Sequence, residues 1–341
     1  MSLEYQNPAP SPTPVTGALA RGVRNGVTIP YAVLASLLLY LLLAVIEFKL
    51  PDVEGQWVAN KVVILAVYLA VIIAALAHTV LALAGKVGRE RLRGFSDIAL
   101  VTGTFMLIWT MTTAKLGLLN YHYWPSPAKV LHILQVEWGD FVLGSAASMS
   151  RLIRGFILGL VAAVPLGVVI GWYKRLFNIL YPIIKFVAPI PPIIYIPYAL
   201  VVLPTIDSAS VFVIAVGVFW PVLTNTVYGV AHVDKRLIEA AYTLGASERT
   251  VLTRVVVPAA RPTIFAGVLI GLILGFIMLT VAETIGAATG IGYFLIYYKD
   301  VADYPRVVAD IVALGAWTFI WTYVFDRVQH WSLRWQRGVV R

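Results

Sequence analysis

The sequence predicts an all-α, polytopic membrane bundle of about eight spans. Hydrophobic residues make up 60% of the 341-residue chain and charged residues 13%, against about 45–50% and 25% in soluble domains. The apolar residues fall in runs of roughly 20 residues or more, the length a helix needs to cross about 30 Å of hydrocarbon at about 1.5 Å per residue. The runs lie at 28–49, 62–84, 98–118, 152–173, 179–203, 208–230, 263–282 and 308–328. Helices apolar on most sides are those of a membrane or a very large core.

The net charge of +9 is read as membrane topology rather than nucleic-acid binding. Basic clusters at Arg21 and Arg24, Lys86–Arg93, Lys174 and Arg175, Lys235–Arg261, and Arg327–Arg341 alternate with acidic loops. The positive-inside rule then puts the loop around Glu239 in the cytoplasm, with both termini inside. The opposite loops hold Lys129, Lys299 and Arg306 with Asp52, Glu54, Glu137, Asp140, Asp207, Asp300 and Asp303. With no cysteine, disulfide and thiolate chemistry are excluded. The five histidines show no metal-ligand spacing, so no metal site is expected.

The segment 1–27 is Pro-rich and polar, and is expected to be a disordered cytoplasmic N-terminus. The first run is too long for the apolar core of a cleaved signal and is read as a retained span. A three-span block follows, at 28–119. In it Glu47 and Lys49 are expected to snorkel to the interface, and His78 to be a packed, hydrogen-bonded side chain. An external segment, 120–149, opens on Trp124-Pro125-Ser126-Pro127; Ser126 suits a helix cap and Pro127 the first turn. The segment is expected to form an amphipathic helix.

A core at 150–330 carries most of the signals, ahead of a cytoplasmic tail at 331–341. Glycines recur four apart at Gly155 and Gly159, Gly167 and Gly171, and Gly267, Gly271 and Gly275, which lets helix backbones approach closely. The run 179–203 holds Pro182, Pro189, Pro191, Pro192 and Pro197. Each proline removes a donor and disturbs the preceding turn, and lipid cannot satisfy the freed carbonyls. Such helices often line transport pathways. Lys185, Pro191, Pro197, Tyr198 and the acid Glu283 are the candidate pathway residues; for Glu283, ordering the nearby glycine-rich stretch is the competing role.

The polar insert 231–261 separates two apolar runs. A helix is expected over Arg236–Leu244, containing Glu239, Ala240 and Ala241. Gly245 stops it by adopting positive φ, and Ser247 caps a second helix that Pro258 and Pro262 are expected to end. A helix–glycine–helix knob of this kind can dock into another protein.

These motifs resemble the binding-protein-dependent ABC importer permeases, in particular the nitrate, sulfonate, taurine and bicarbonate group. Glu239-Ala240-Ala241, Gly245 and Pro258 resemble the E-A-A-x3-G loop on which the permease meets its ATPase. Trp124–Pro127, Arg154-Gly155-Phe156, the proline-rich run and Val281-Ala282-Glu283 through Gly290-Ile291-Gly292-Tyr293 are similar to that group's other motifs, over roughly 200 residues. The resemblance implies a type I importer core with two extra N-terminal spans, a second permease subunit forming a homodimer, an external solute-binding protein, and a separate ATPase that holds ATP and Mg. The chain departs from the group at Val202-Leu203-Pro204, and the two extra spans have no counterpart in it. No G-x4-G-K-[ST] phosphate loop is present, so ATP hydrolysis is not expected of this chain. An ion-gradient-driven secondary transporter would also explain a broken helix, but would be expected to show internal repeats. A membrane-embedded enzyme would need converging catalytic groups. A small anion or organic solute is the expected cargo.

Overall fold

The computed structural model describes residues 31–58, 61–84 and 89–333. The expectations for 1–27, for Lys86 and for 334–341 lie outside them. The described residues form helices and connecting turns and divide into two compact units. Among the described residues, seven helices are long and apolar enough to cross a membrane, and a bent pair makes an eighth candidate.

The first unit contains α1 (Tyr31–Lys49), α2 (Val62–Leu83) and α3 (Arg89–Thr110), the last extended by a π-helical turn over Met111–Lys115. Its interior is unusually polar. Ser36, Tyr40 and Glu47 share the buried face of α1; Tyr40 shares a 2.9 Å hydrogen bond with Thr102 and meets Tyr68 edge-on. Lipid is as apolar as leucine, so polar contacts rather than water exclusion hold such helices together. Glu47 does not snorkel. It is 1% exposed and sits 3.4 Å from Lys61 and 3.7 Å from Lys115. Both lysines also pair with Asp52, at 2.5 and 2.7 Å. Two acids thus balance two lysines at this end of the block. His78 donates from Nδ1 to the Ala74 carbonyl at 2.9 Å and stacks on Phe95, as expected of a packed residue.

The second unit comprises 54–58 and 117 onward. Buried Gln56 ties its two stretches together, donating to the Trp124 carbonyl at 2.6 Å and accepting from the Ser126 amide at 2.8 Å. Ser126 caps α4 (Pro127–Val136), accepting from the Lys129 amide, as its position before Pro127 predicts. The next helix, α5 (Trp138–Trp172), is longer than the 152–173 run and passes through residues 149 and 150 without a break.

The prolines split the run 179–203 into α6 (Lys174–Val187), a 3₁₀ turn at Pro192–Tyr195 and α7 (Ile196–Val202), with an 86° bend between the halves. Pro189, Pro191 and Pro192 fall in or next to the break, where the missing donors interrupt the helical ladder. Thr205 then caps α8 (Ile206–Ala231) in a capping box with Ser208.

The centre of this unit is α8, packed between α5 and α11 (Val257–Gly286). The glycine spacings explain the closeness. A Cβ on Gly159 would stand 2.7 Å from the Ala215 carbonyl, one on Gly171 2.7 Å from that of Val227, and one on Gly271 3.2 Å from that of Val218. Both glycine sets therefore face the same helix. The second unit closes with α12 (Ile291–Asp300) and α13 (Tyr304–Ser332).

Candidate functional site

The polar insert folds as a knob. Asp234 caps α9 (Lys235–Thr243), accepting from the Arg236 amide at 2.9 Å. At the far end the Ala246 amide donates to the Ala241 carbonyl and the Gly245 amide to that of Tyr242, at 3.1 and 2.9 Å. This is a Schellman closure, and it places Gly245 at φ +76°. Ser247 then caps the short helix α10 (Glu248–Val251), accepting from Thr250. Ile238, Ala241 and Ala246 pack on the core, while Glu239, Ala240 and Tyr242 are exposed and Leu244 is 87% exposed. The two alanines therefore differ: Ala241 seats the knob and Ala240 faces outward.

Pro258 and Pro262 do not end the second helix. A π-helical turn over Leu252–Val256 links α10 to α11, and the chain stays helical to Gly286. The turn shifts the hydrogen-bond register, so Pro258, which has no N–H to offer, falls in the first turn of a new α-helical stretch where a missing donor costs little. The knob is thereby joined to a membrane span by continuous helix.

At the other end of α11, Glu283 is 1% exposed. It accepts from Arg151 Nη1 at 2.7 Å, from Ser148 Oγ at 2.8 Å and from the Gly292 amide at 3.0 Å. Ser148 Oγ in turn accepts from the Ile291 amide at 2.9 Å. The carboxylate and hydroxyl thus satisfy free amides at the start of α12, where the helix dipole also favours an anion. Arg151 extends the cluster, donating to the Thr289 carbonyl at 2.7 Å and to Asp207 at 3.0 Å; Arg154 also pairs with Asp207, at 2.8 Å. Gly290 takes φ +128°, and a Cβ there would meet the Glu283 carboxylate at 2.5 Å. The glycine-rich stretch after Glu283 is thus shaped around it.

Arg151 and Ser148 belong to none of the sequence motifs, whose arginine here is Arg154, and Asp207 is marked there only as a loop acid. The available signal was an arginine pair three residues apart at the head of the 152–173 run, since ionisable groups beside or within a span need partners. A second ionic cluster joins Glu137 to Arg306 at 2.6 Å, with Asp303 also on Arg306 and Tyr298 beside them. Burial, reinforced by the Glu137 charge, raises the Tyr298 phenol to about 12.

The pathway candidates are not gathered with Glu283. Lys185 lies in the last turn of α6, exposed, with its ammonium 4.7 Å from the centre of the Tyr181 ring. Pro191 lies at the break, and Pro197 and Tyr198 in the first turn of α7; all three are exposed, Tyr198 at 74%. The polar partners of Glu283 come from α5 and α12, and none from 179–203.

A solved structure of inward-facing conformations of the MetNI methionine ABC transporter aligns with 55% of this chain and 94% of its own, at 19% identity and a TM-score of 0.49. A probable ABC transporter permease of Brucella melitensis is 36% identical over 193 residues, covering 56% of this chain and 78% of the relative. The taurine transport system permease TauC of Escherichia coli K12 is 30% identical over 233 residues, 66% of this chain and 85% of that one. The bicarbonate transport system permease CmpB of Synechococcus elongatus is 32% identical over 193 residues, 55% and 67% of the two. Residues 155–338 match the family described as the binding-protein-dependent transport system inner membrane component. The chain, with its glycine-packed spans and helix–glycine–helix insert, belongs to that family of ABC transporter permeases.

Proposed function

We propose that this chain forms the translocation pathway of an ATP-driven importer and couples to a separate ATPase through the knob at Glu239–Ser247. The observation that carries the coupling is the knob itself: Leu244 is 87% exposed on a capped, Schellman-closed support that continues into a membrane span. Leu237, Tyr242 and Leu244 together expose apolar surface on an otherwise polar insert, and exposed apolar surface rimmed by polar residues suits a partner better than solvent. The ATPase would hold ATP and Mg; this chain would bind neither. On ATP-driven closure the knobs of two permease copies would approach each other, and α11 would transmit the motion to the membrane as a shift between two packings.

The charge distribution supports a cytoplasmic knob and cytoplasmic termini. Cargo would arrive from an external solute-binding protein. The taurine and bicarbonate relatives point to a small anion, with Lys185, Pro191, Pro197 and Tyr198 as pathway-facing residues of the bent segment. The ligand that co-purifies with the cognate binding protein would identify it.

The coupling reading is tested by Leu244→Glu. The side chain touches little of this chain, so the melting temperature in detergent should stay within the scatter of a surface change, while the cognate ATPase should no longer co-purify. Retention of the ATPase at the wild-type ratio would remove Leu244 from the interface.

A further inference from the structure

An apolar groove of about 680 Å³ runs between α5, α11 and α13. Leu160, Val164, Phe265, Val268, Trp321 and Val324 are among the side chains lining it, and every lining residue is apolar. All three helices are membrane spans, so the groove lies at hydrocarbon depth. Nothing in the proposed transport cycle uses it. The glycine seams face α8, and the bent segment at 179–203 contributes no lining residue.

One end of the groove reaches Ile264 and Phe265. Arg261 lies three and four residues earlier, on the same helical face and one turn farther out. Helical side chains lean toward their own N-terminus, which carries this guanidinium away from the groove and toward the membrane surface. Arg261 is exposed and has no ion pair or hydrogen bond among the described residues. The nearest acid on α13, Asp326, is neither three nor four residues from any lining position and so faces elsewhere. Arg327, three residues from Val324, sits with its guanidinium 4.9 Å from the centre of the Tyr323 ring. The groove is therefore an apolar channel with a basic mouth.

We propose that this groove holds an acyl chain of an anionic phospholipid whose phosphate is bound by Arg261. The chain alone would bring little selectivity, because lipid tails are as apolar as the groove walls. Selectivity comes from the mouth, where a guanidinium can take a phosphate with two parallel, charge-assisted hydrogen bonds. A zwitterionic headgroup places its own ammonium beside that phosphate and opposes the arginine. The topology proposed above puts the mouth in the inner leaflet; the proposal rests on that reading for the leaflet and on nothing else in it.

Trp321 lines the groove and supplies the test. Full-length protein is reconstituted into vesicles of phosphatidylcholine with added phosphatidylglycerol, one of the two carrying brominated acyl chains that quench indole fluorescence. The difference between wild type and Trp321→Phe isolates the Trp321 signal. Brominated phosphatidylglycerol should quench it at a mole fraction about fivefold lower than brominated phosphatidylcholine, the effect of one basic residue at a membrane surface. Arg261→Gln should abolish that preference while quenching by phosphatidylcholine persists. Equal quenching by the two lipids in the wild type would overturn the proposal and leave the groove to bulk lipid. Absence of quenching by either would overturn it as well, and would assign the groove to a protein helix such as that of a second copy. The readout needs neither ATPase nor cargo, so a failure of the import reading leaves its result standing.

Discussion

Two glutamates mark opposite ends of the α9–α11 segment, and their surroundings could hardly differ more. Glu283 is 1% exposed and holds an arginine, a serine hydroxyl and a backbone amide. Glu239 is exposed, and its side chain has no ion-pair or hydrogen-bond partner among the described residues. A buried charge must be paired where it stands, so Glu283 is committed to holding α5 and the start of α12 to α11, and Arg151 carries the link on to Asp207 of α8. An exposed charge on a rigid support is committed to nothing within this chain and is free to meet another. Residue type alone does not separate structural from docking roles; the partners present do.

The largest expected effect comes from breaking the paired end. Arg151→Ala would strand Glu283 and weaken the hold on Asp207. Removing one partner of a buried ion pair typically costs about 3–5 kcal/mol, so the melting temperature in detergent should fall sharply and uptake should be lost with it. A variant that melts like wild type would show that the cluster does not anchor these helices. Glu283→Gln, which keeps an acceptor for the Gly292 amide, should lose less than Arg151→Ala.

Gly245→Val probes the other end and should split stability from function. A Cβ at Gly245 meets nothing within 4 Å, so the substitution is opposed only by the backbone, at φ +76°. A left-handed conformation costs a non-glycine residue roughly 1–2 kcal/mol. The knob should lose its closure while the spans stay folded: the melting temperature should move slightly, and ATP hydrolysis should continue without uptake. Wild-type uptake would dismiss the knob as the coupling element.

The smallest structural effect belongs to Lys185→Ala. The side chain is exposed and touches a single ring, so stability should change by no more than about 0.5 kcal/mol. If the bent segment lines the pathway of an anion, uptake should weaken; unchanged affinity and rate would remove Lys185 from the pathway and leave it as a surface cation.

Much of this was legible in the residues, for local reasons. Apolar runs longer than a bilayer is thick become spans wherever they pack. Ser126 before Pro127, Gly245 after α9 and Ser247 before α10 mark helix ends through their own backbone preferences, and the structure puts a turn or cap at each. The proline cluster announced a break, since no packing can restore a donor that proline lacks. Where the same rules misled, a neighbour had intervened. Pro258 looked like a terminator until a π-helical turn placed it where no donor is needed, and Glu47 looked like a snorkelling end residue until Lys61 and Lys115 folded over it.

The sequence by itself determined the membrane character, the places of the long apolar runs and the position of the polar insert, because these follow from composition and from neighbours a few residues apart. Only the tertiary structure decided that both glycine sets face α8, that Arg151 rather than Arg154 holds Glu283, and that Leu244 rather than Ala241 points away from the core. Those choices join residues separated by about 50 to 140 positions, and the pairing energy of a buried charge or a close backbone contact exists only once folding has brought the two ends together.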